Sequence, residues 1–108
     1  MSYDVSFKAK LEGAEQWVYV GADWISHASS ADTLIKEVCG SYPSEWTGKK
    51  CADMYPVVMQ GISLLTISPN RYRPFEAGYS TVESVIEFLW KIADNCDKYP
   101  TAVFEVNT

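Results

Sequence analysis

The sequence contains no run of about 18 apolar residues, and its first ten residues, MSYDVSFKAK, lack the apolar core of a secretory signal. The first absence argues against a transmembrane helix, and the second argues against export. Together they predict a protein of the cytoplasm with no membrane association.

Histidine and cysteine are too few and too scattered for a recognisable metal or nucleophile motif. The chain has one histidine, His27, and three cysteines, Cys39, Cys51 and Cys96, with no C-x-x-C pair. Separations of 12 and 45 residues fit no zinc-ligand spacing, and an odd count argues against a disulfide framework. A glycine-rich phosphate loop is also absent. We therefore expect reduced, buried thiols, no metal and no cofactor.

Basic residues are in the minority. Nine lysines and arginines stand against fourteen acidic residues, which gives a formal net charge of −5. This charge repels phosphate backbones unless the cations cluster on one face, so direct nucleic-acid binding is not expected. The carboxylates instead raise the idea of nucleic-acid mimicry, but Lys91 and Lys98 interrupt the one conceivable row, at Glu83, Glu87 and Asp94.

The apolar content suffices for one domain, which we place at residues 1–108. Its 47% hydrophobic residues can bury a core without metals or disulfides. Alternation from Tyr3 to Leu11 predicts a half-buried strand, the glycine turn at 12–15 leads into a second strand at QWVYVG, and TAVFEV forms a last one.

Three helices are predicted between these strands. Ser30 is the predicted N-cap of the first, which ends at Gly40, and Asp53 is the predicted N-cap of the second, because Pro56 must then lie in its first turn. Gly61 inside the second helix costs about 1 kcal/mol relative to alanine, which suggests a close crossing by another element.

The last helix has the strongest pattern. Ser80 and Glu83 have capping-box spacing, and Glu83, Glu87 and Lys91 form a solvated ladder. The apolar stripe comprises Val82, Val85, Ile86, Leu89, Ile92, Ala93 and Cys96. The resulting order, β-β-α-α-α-β, predicts an α+β fold. In it a three-stranded antiparallel sheet, with the first strand central, carries three helices on one face.

Two turn-rich segments are the predicted partner-binding surfaces, because tryptophan, tyrosine and arginine often anchor interfaces and loops present them freely. The competing interpretation is that the rings cap the core. The predicted binding residues are Trp46, Lys49 and Lys50 in the first segment and Arg71, Tyr72 and Arg73 in the second. No catalytic residue is assigned.

Three stretches resemble small uncharacterised proteins carried by bacteriophages and prophages of Gram-positive bacteria: MSYDVSFKAKLEG, EVCGSYPSEWTGKKCADMYPVVMQGISLL and SPNRYRPFEAGYSTVESVIEFLWKI. The resemblance covers most of the chain. It implies a small accessory protein that binds host or phage proteins, and such proteins include inhibitors of CRISPR nucleases and other defence effectors.

The sequence therefore favours a non-enzymatic binding protein whose partner is a host or phage protein, such as a nucleic-acid-processing effector. Two other classes stay open. One is a protein that sequesters a nucleotide signal in a pocket lined by rings such as Trp17, Tyr19 and Trp24 with cationic donors. The other is a small hydrolase whose site is assembled only by folding.

Overall fold

The computed structural model describes residues 2–10, 13, 15–21 and 24–108, which form an α+β fold. The strands are β1 (Ser2–Lys10), β2 (Trp17–Tyr19), β3 (Ile25–Ala28) and β4 (Val103–Asn107), and the α-helices are α1 (Asp32–Cys39), α2 (Cys51–Ile67), α3 (Pro69–Tyr72) and α4 (Val82–Lys98). Short 3-10 turns lie at Ser29–Ala31, Pro43–Glu45 and Arg73–Phe75. The described residues thus contain four strands and four α-helices, where three of each were predicted.

Strand β1 is the centre of an antiparallel sheet, as its length predicted. It pairs with β2 through residues 8–10, with β3 through residues 2–5 and with β4 through residues 4–8. Residue 8 of β1 pairs with both β2 and β4, and residues 4 and 5 pair with both β3 and β4. Because a strand has one neighbour on each side, β4 lies along one edge of β1, and β2 and β3 both lie along the other edge. The missed strand is β3, whose four residues are too few for a visible alternation. The predicted turn at 12–15 lies partly outside the described residues.

The two faces of the sheet have different environments. Val5 and Phe7 of β1, Ile25 of β3 and Phe104 of β4 are buried in the core shared with the helices. The Phe7 and Phe104 rings meet edge to face with their centroids 4.8 Å apart. The helices pack on this face, so the opposite face, which carries Lys8 of β1, is the outer face of the sheet.

Helix α2 begins earlier than the predicted N-cap at Asp53, which is a correction. Its first backbone N–H groups, those of Cys51 and Ala52, donate to the carbonyls of Ala102 and Pro100 at 2.8 and 2.9 Å. These carbonyls replace a capping side chain, since the first N–H groups of any helix need external acceptors. Pro56 therefore lies inside the helix rather than in its first turn.

Serine caps were also predicted at the wrong residues. Helix α4 is capped by Thr81, whose hydroxyl accepts the N–H of Ser84 at 3.1 Å, while the Ser84 hydroxyl accepts the N–H of Thr81 at 2.9 Å. Ser80, the predicted cap, is buried and its hydroxyl lies 2.7 Å from that of Ser30. Ser30 lies in a 3-10 turn and makes no cap, whereas Gly40 ends α1 with a positive φ of 82°, as predicted.

The core confirms two further predictions. All residues of the α4 stripe are buried except Ile86, which is partly buried. A Cβ placed on Gly61 would lie 2.7 Å from Cys39 Sγ and 3.3 Å from Leu89 Cδ1, so α1 and α4 both approach α2 closely at this glycine. Among the described residues, no helix has the combined length and apolarity needed to cross a membrane.

Candidate functional site

Trp46, the first predicted binding residue, lies in the core. Its side chain is 0% exposed, its ring meets that of Phe104 edge to face, and its indole N–H donates to the Ser41 hydroxyl at 2.9 Å. A tryptophan buries a large apolar area once its single N–H has a partner, so it is drawn into the core. The expectation that the first segment presents this ring to solvent is wrong.

Lys49 and Lys50 are exposed, but their backbone continues the sheet. The Phe104 N–H donates to the Lys49 carbonyl at 2.9 Å, and Lys50 forms an antiparallel bridge with Val103. Residues 47–50 thus border β4, with the two cations at the rim of the fold and the Trp46 ring beneath. The first predicted surface is reduced to two solvated lysines.

The second predicted surface is divided in the same way. Tyr72 is buried, Arg71 is exposed, and Arg73 is held by two carboxylates, those of Glu76 at 3.1 Å and Glu83 at 2.7 Å. The hydrogen bonds that Arg73 donates lower the pKa of Glu83 to about 2, and the same interactions with Glu83 and Glu76 raise the pKa of Arg73. Arg73 therefore joins the turn after α3 to the start of α4 and is not a free anchor.

Exposed rings occur elsewhere, on β2 and just after it. Trp17 and Tyr19 are 49% and 63% exposed, and Trp24 is 50% exposed with its ring centroid 6.3 Å from that of Tyr19. We call Trp17, Tyr19 and Trp24 the aromatic platform. From the sequence these rings were expected only in the lining of a pocket, but the pairing of Tyr19 with Lys8 and of Trp17 with Lys10 places both on the outer face.

Polar contacts hold the platform in place. The Tyr19 hydroxyl donates to Glu105 at 2.6 Å, and Glu105 also lies 3.6 Å from Lys8 Nζ. The hydrogen bond from Tyr19, together with the nearby Lys8, lowers the pKa of Glu105, and the same bond raises the pKa of Tyr19. The Lys10 ammonium lies 5.9 Å from the Trp17 ring centroid, within cation–π range. These contacts restrain the rings of Tyr19 and Trp17.

A cleft of about 500 Å³ lies beside the platform, between Gly21 and residues 24–26 on one side and the end of α4 on the other. Its lining comprises Gly21, Trp24, Ile25, Ser26, Lys91, Asp94, Asn95, Lys98 and Tyr99. Gly21 has a φ of 77°, and a Cβ there would lie 1.9 Å from Asn95 Oδ1, so only glycine allows this approach. The backbone at Gly21 is thereby fitted closely to α4.

A second, smaller cavity of about 170 Å³ adjoins the cleft, with Ser26 and Lys91 in both linings. Here His27 Nε2 lies 3.2 Å from the Ser84 hydroxyl, and His27 Nδ1 lies 3.1 Å from the Ala28 carbonyl. This is the spacing of a nucleophile and its base. The Ser84 hydroxyl is nevertheless occupied in the capping of α4 by Thr81, so the pair has a structural role.

The three cysteine thiols are free and buried, as expected. Burial raises the pKa of Cys39 to about 12. Cys51 and Cys96 share a hydrogen bond, which lowers the pKa of Cys51 and raises that of Cys96. Within the part of the chain that the structure describes, no group of three or more histidine, cysteine or acidic residues is arranged to hold a metal ion.

Comparison with known proteins adds no relative: no family model matches the chain, and neither the curated proteins nor the solved structures contain a significant match.

Proposed function

We propose that this chain is a non-enzymatic protein-binding protein whose contact surface is the aromatic platform. The observation that carries the proposal is the exposure of three large neighbouring rings, Trp17, Tyr19 and Trp24, at about half or more of their surface. Such rings are enriched at the centres of protein interfaces, where they supply most of the binding energy.

Packing supports this assignment. The core already contains six aromatic rings, those of Trp46, Tyr72 and four phenylalanine or tyrosine residues. The platform rings are therefore exposed in a protein whose core is well supplied with aromatic side chains. Tyr19 is fixed by its hydrogen bond to Glu105, and Trp17 lies near Lys10. Rings restrained in this way lose less conformational entropy on binding than freely rotating ones, which favours affinity.

The partner we propose is a host or phage protein, on the strength of the resemblance to phage-encoded accessory proteins. A defence effector such as a CRISPR nuclease fits the net charge of −5, because nucleic-acid-processing enzymes carry basic surfaces that attract an acidic protein. Action in the cytoplasm of the host cell is part of the same proposal. Of the residues predicted earlier, Lys49, Lys50 and Arg71 are exposed to solvent.

Affinity capture with matched variants tests the proposal. The immobilised chain, its Tyr19→Ala and Trp24→Ala variants, and Tyr79→Ala as control are each exposed to a lysate of a Gram-positive host. Tyr79 is a suitable control because it is 93% exposed and lies outside the platform, in the turn before α4.

We expect one protein to be retained in stoichiometric amount by the wild type and by Tyr79→Ala, and to be lost with either platform variant. All variants must keep a wild-type melting temperature for the comparison to hold. Retention that does not change when Tyr19 or Trp24 is replaced would overturn the assignment of the surface. Retention of no protein by the wild type would count against protein binding itself.

A further inference from the structure

We propose that the cleft between Gly21 and residues 24–26 on one side and the end of α4 on the other binds a nucleotide, with its base against the rings of Trp24 and Tyr99 and its phosphate at Lys91 and Lys98. The site shares Trp24 with the platform, and its other residues lie outside the platform. The inference does not depend on protein binding by the platform.

The shape of the cleft suits a small ligand. Its volume of about 500 Å³ falls within the usual range of sites for small molecules and cofactors. Four of its lining residues, Lys91, Asp94, Asn95 and Lys98, stand at positions i, i+3, i+4 and i+7 and so form one face of α4. Trp24, Ile25 and Ser26 form the opposing wall, so a flat ring can enter between helix and strand.

The charges suit a phosphate more than a neutral ligand. Lys91 and Lys98 are seven residues apart, about 10 Å along the helix, so the two long side chains can reach one anion between them. Each now pairs with a carboxylate of its own helix, Glu87 at 3.6 Å and Asp94 at 3.2 Å. These pairs are well exposed, and exposed ion pairs of this kind contribute little, so phosphate oxygens can replace the carboxylates.

The remaining groups suit a base and its sugar. Trp24 and Tyr99 both line the cleft and are both exposed, so their rings are accessible for stacking. Every nucleobase can stack on an aromatic ring. Once Lys98 turns to the phosphate, the Asp94 carboxylate can accept hydrogen bonds from sugar hydroxyls, as acidic residues do in dinucleotide sites. An anion alone would use only the lysines, and a neutral ring alone would use only the aromatic walls.

Titration with separated parts of the ligand tests the assignment. The full chain is titrated with AMP, with GMP, with adenosine as the base without phosphate, and with inorganic phosphate as the anion alone. Binding is followed by tryptophan fluorescence and by calorimetry. We expect AMP or GMP to bind saturably below about 1 mM, at least tenfold tighter than adenosine or phosphate. Added salt should weaken the nucleotide but not adenosine.

Three variants decide which residues are responsible. Lys98→Ala should weaken AMP binding about tenfold or more and leave adenosine unchanged, whereas Lys49→Ala, an exposed cation at the other side of the sheet, should change neither. Tyr19→Ala should keep nucleotide binding, which separates this site from the platform. Absence of saturable AMP and GMP binding, equal affinity for AMP and adenosine, or no effect of Lys98→Ala would each overturn the proposal.

Discussion

Replacement of Gly61 by alanine should destabilise the protein, although alanine is the better helix former. In the interior of a helix the change from glycine to alanine gains about 1 kcal/mol of intrinsic helix propensity. At Gly61 the added methyl would lie 2.7 Å from Cys39 Sγ and 3.3 Å from both Leu89 Cδ1 and Val38 Cγ2. The first distance is too short for any two such atoms, so α1 or the cysteine side chain must move.

The magnitude follows from these two opposing terms. Insertion of a methyl group into a packed core costs about 1–3 kcal/mol, and the clash with a buried thiol at the contact of α1 and α2 belongs in the upper half of that range. Against a gain of about 1 kcal/mol, the net loss is about 1 kcal/mol. For a domain of about 100 residues this lowers the melting temperature by about 5 °C.

Thermal and urea unfolding followed by circular dichroism measure the effect, and Cys39→Ala supplies the matched background. Without the sulfur atom, the next neighbours, Leu89 Cδ1 and Val38 Cγ2, lie at 3.3 Å, which requires a shift of only a few tenths of an ångström. In that background Gly61→Ala should be neutral or stabilising by up to about 1 kcal/mol. A coupling energy of about 1–2 kcal/mol between the two positions is therefore expected from the double-mutant cycle.

Two results would contradict this prediction for Gly61→Ala. If Gly61→Ala raised the unfolding free energy of the wild type by its full propensity gain, the close crossing of α1 and α2 at this glycine would be wrong. The absence of coupling to Cys39 would show that the strain, if any, arises from another neighbour.

Three further predictions concern pH, thiol accessibility and backbone conformation. Arg73 lowers the folded-state pKa of Glu83 to about 2, so this pair stabilises the fold above pH 4.5, and its contribution is lost as the pH falls from 4.5 towards 2. The variant Glu83→Gln should remove this part of the acid dependence of the urea midpoint. An unchanged acid dependence would contradict the pairing of Glu83 with Arg73. The three buried thiols, including Cys39 with its pKa raised to about 12, should react with a disulfide reagent at pH 8 only after denaturant is added, and rapid labelling of the native protein would contradict their burial. Gly21→Ala should lower the melting temperature more than Gly48→Ala, because both have positive φ but only Gly21 has neighbours within 4 Å of the added methyl; equal losses would show that backbone strain alone is responsible.

The regular elements were predictable because their patterns are local. Alternation from Tyr3 onwards identified β1, the stripe from Val82 to Cys96 identified α4, and Gly40 identified the end of α1. Each of these signals is contained in about ten to fifteen consecutive residues. Elements whose hydrogen bonds come from distant residues were predicted less well. Helix α2 begins at Cys51 because the 100–102 segment supplies its acceptors.

The candidate site was also predicted only in part. Residue type marked tryptophan, tyrosine and arginine as candidate anchors, but the exposure of these side chains could not be read from their loop context. Trp46 and Tyr72 are buried, and Arg73 is bound by Glu76 and Glu83. The exposure of the platform rings was not predicted, because Trp17 and Tyr19 lie in a strand, and strands of this apolar character usually contribute to a core.

The amino-acid sequence by itself determined an α+β chain with β1 at its centre, an amphipathic last helix and a close crossing at Gly61, since each depends on residue spacing or on the absence of a side chain. Only the tertiary structure decided which rings meet solvent and which lysines share a cleft. The physical reason is that exposure and proximity are set by residues far apart in the chain, such as Tyr19, which is hydrogen-bonded to Glu105, and Trp24, which lines one cleft with the last turns of α4.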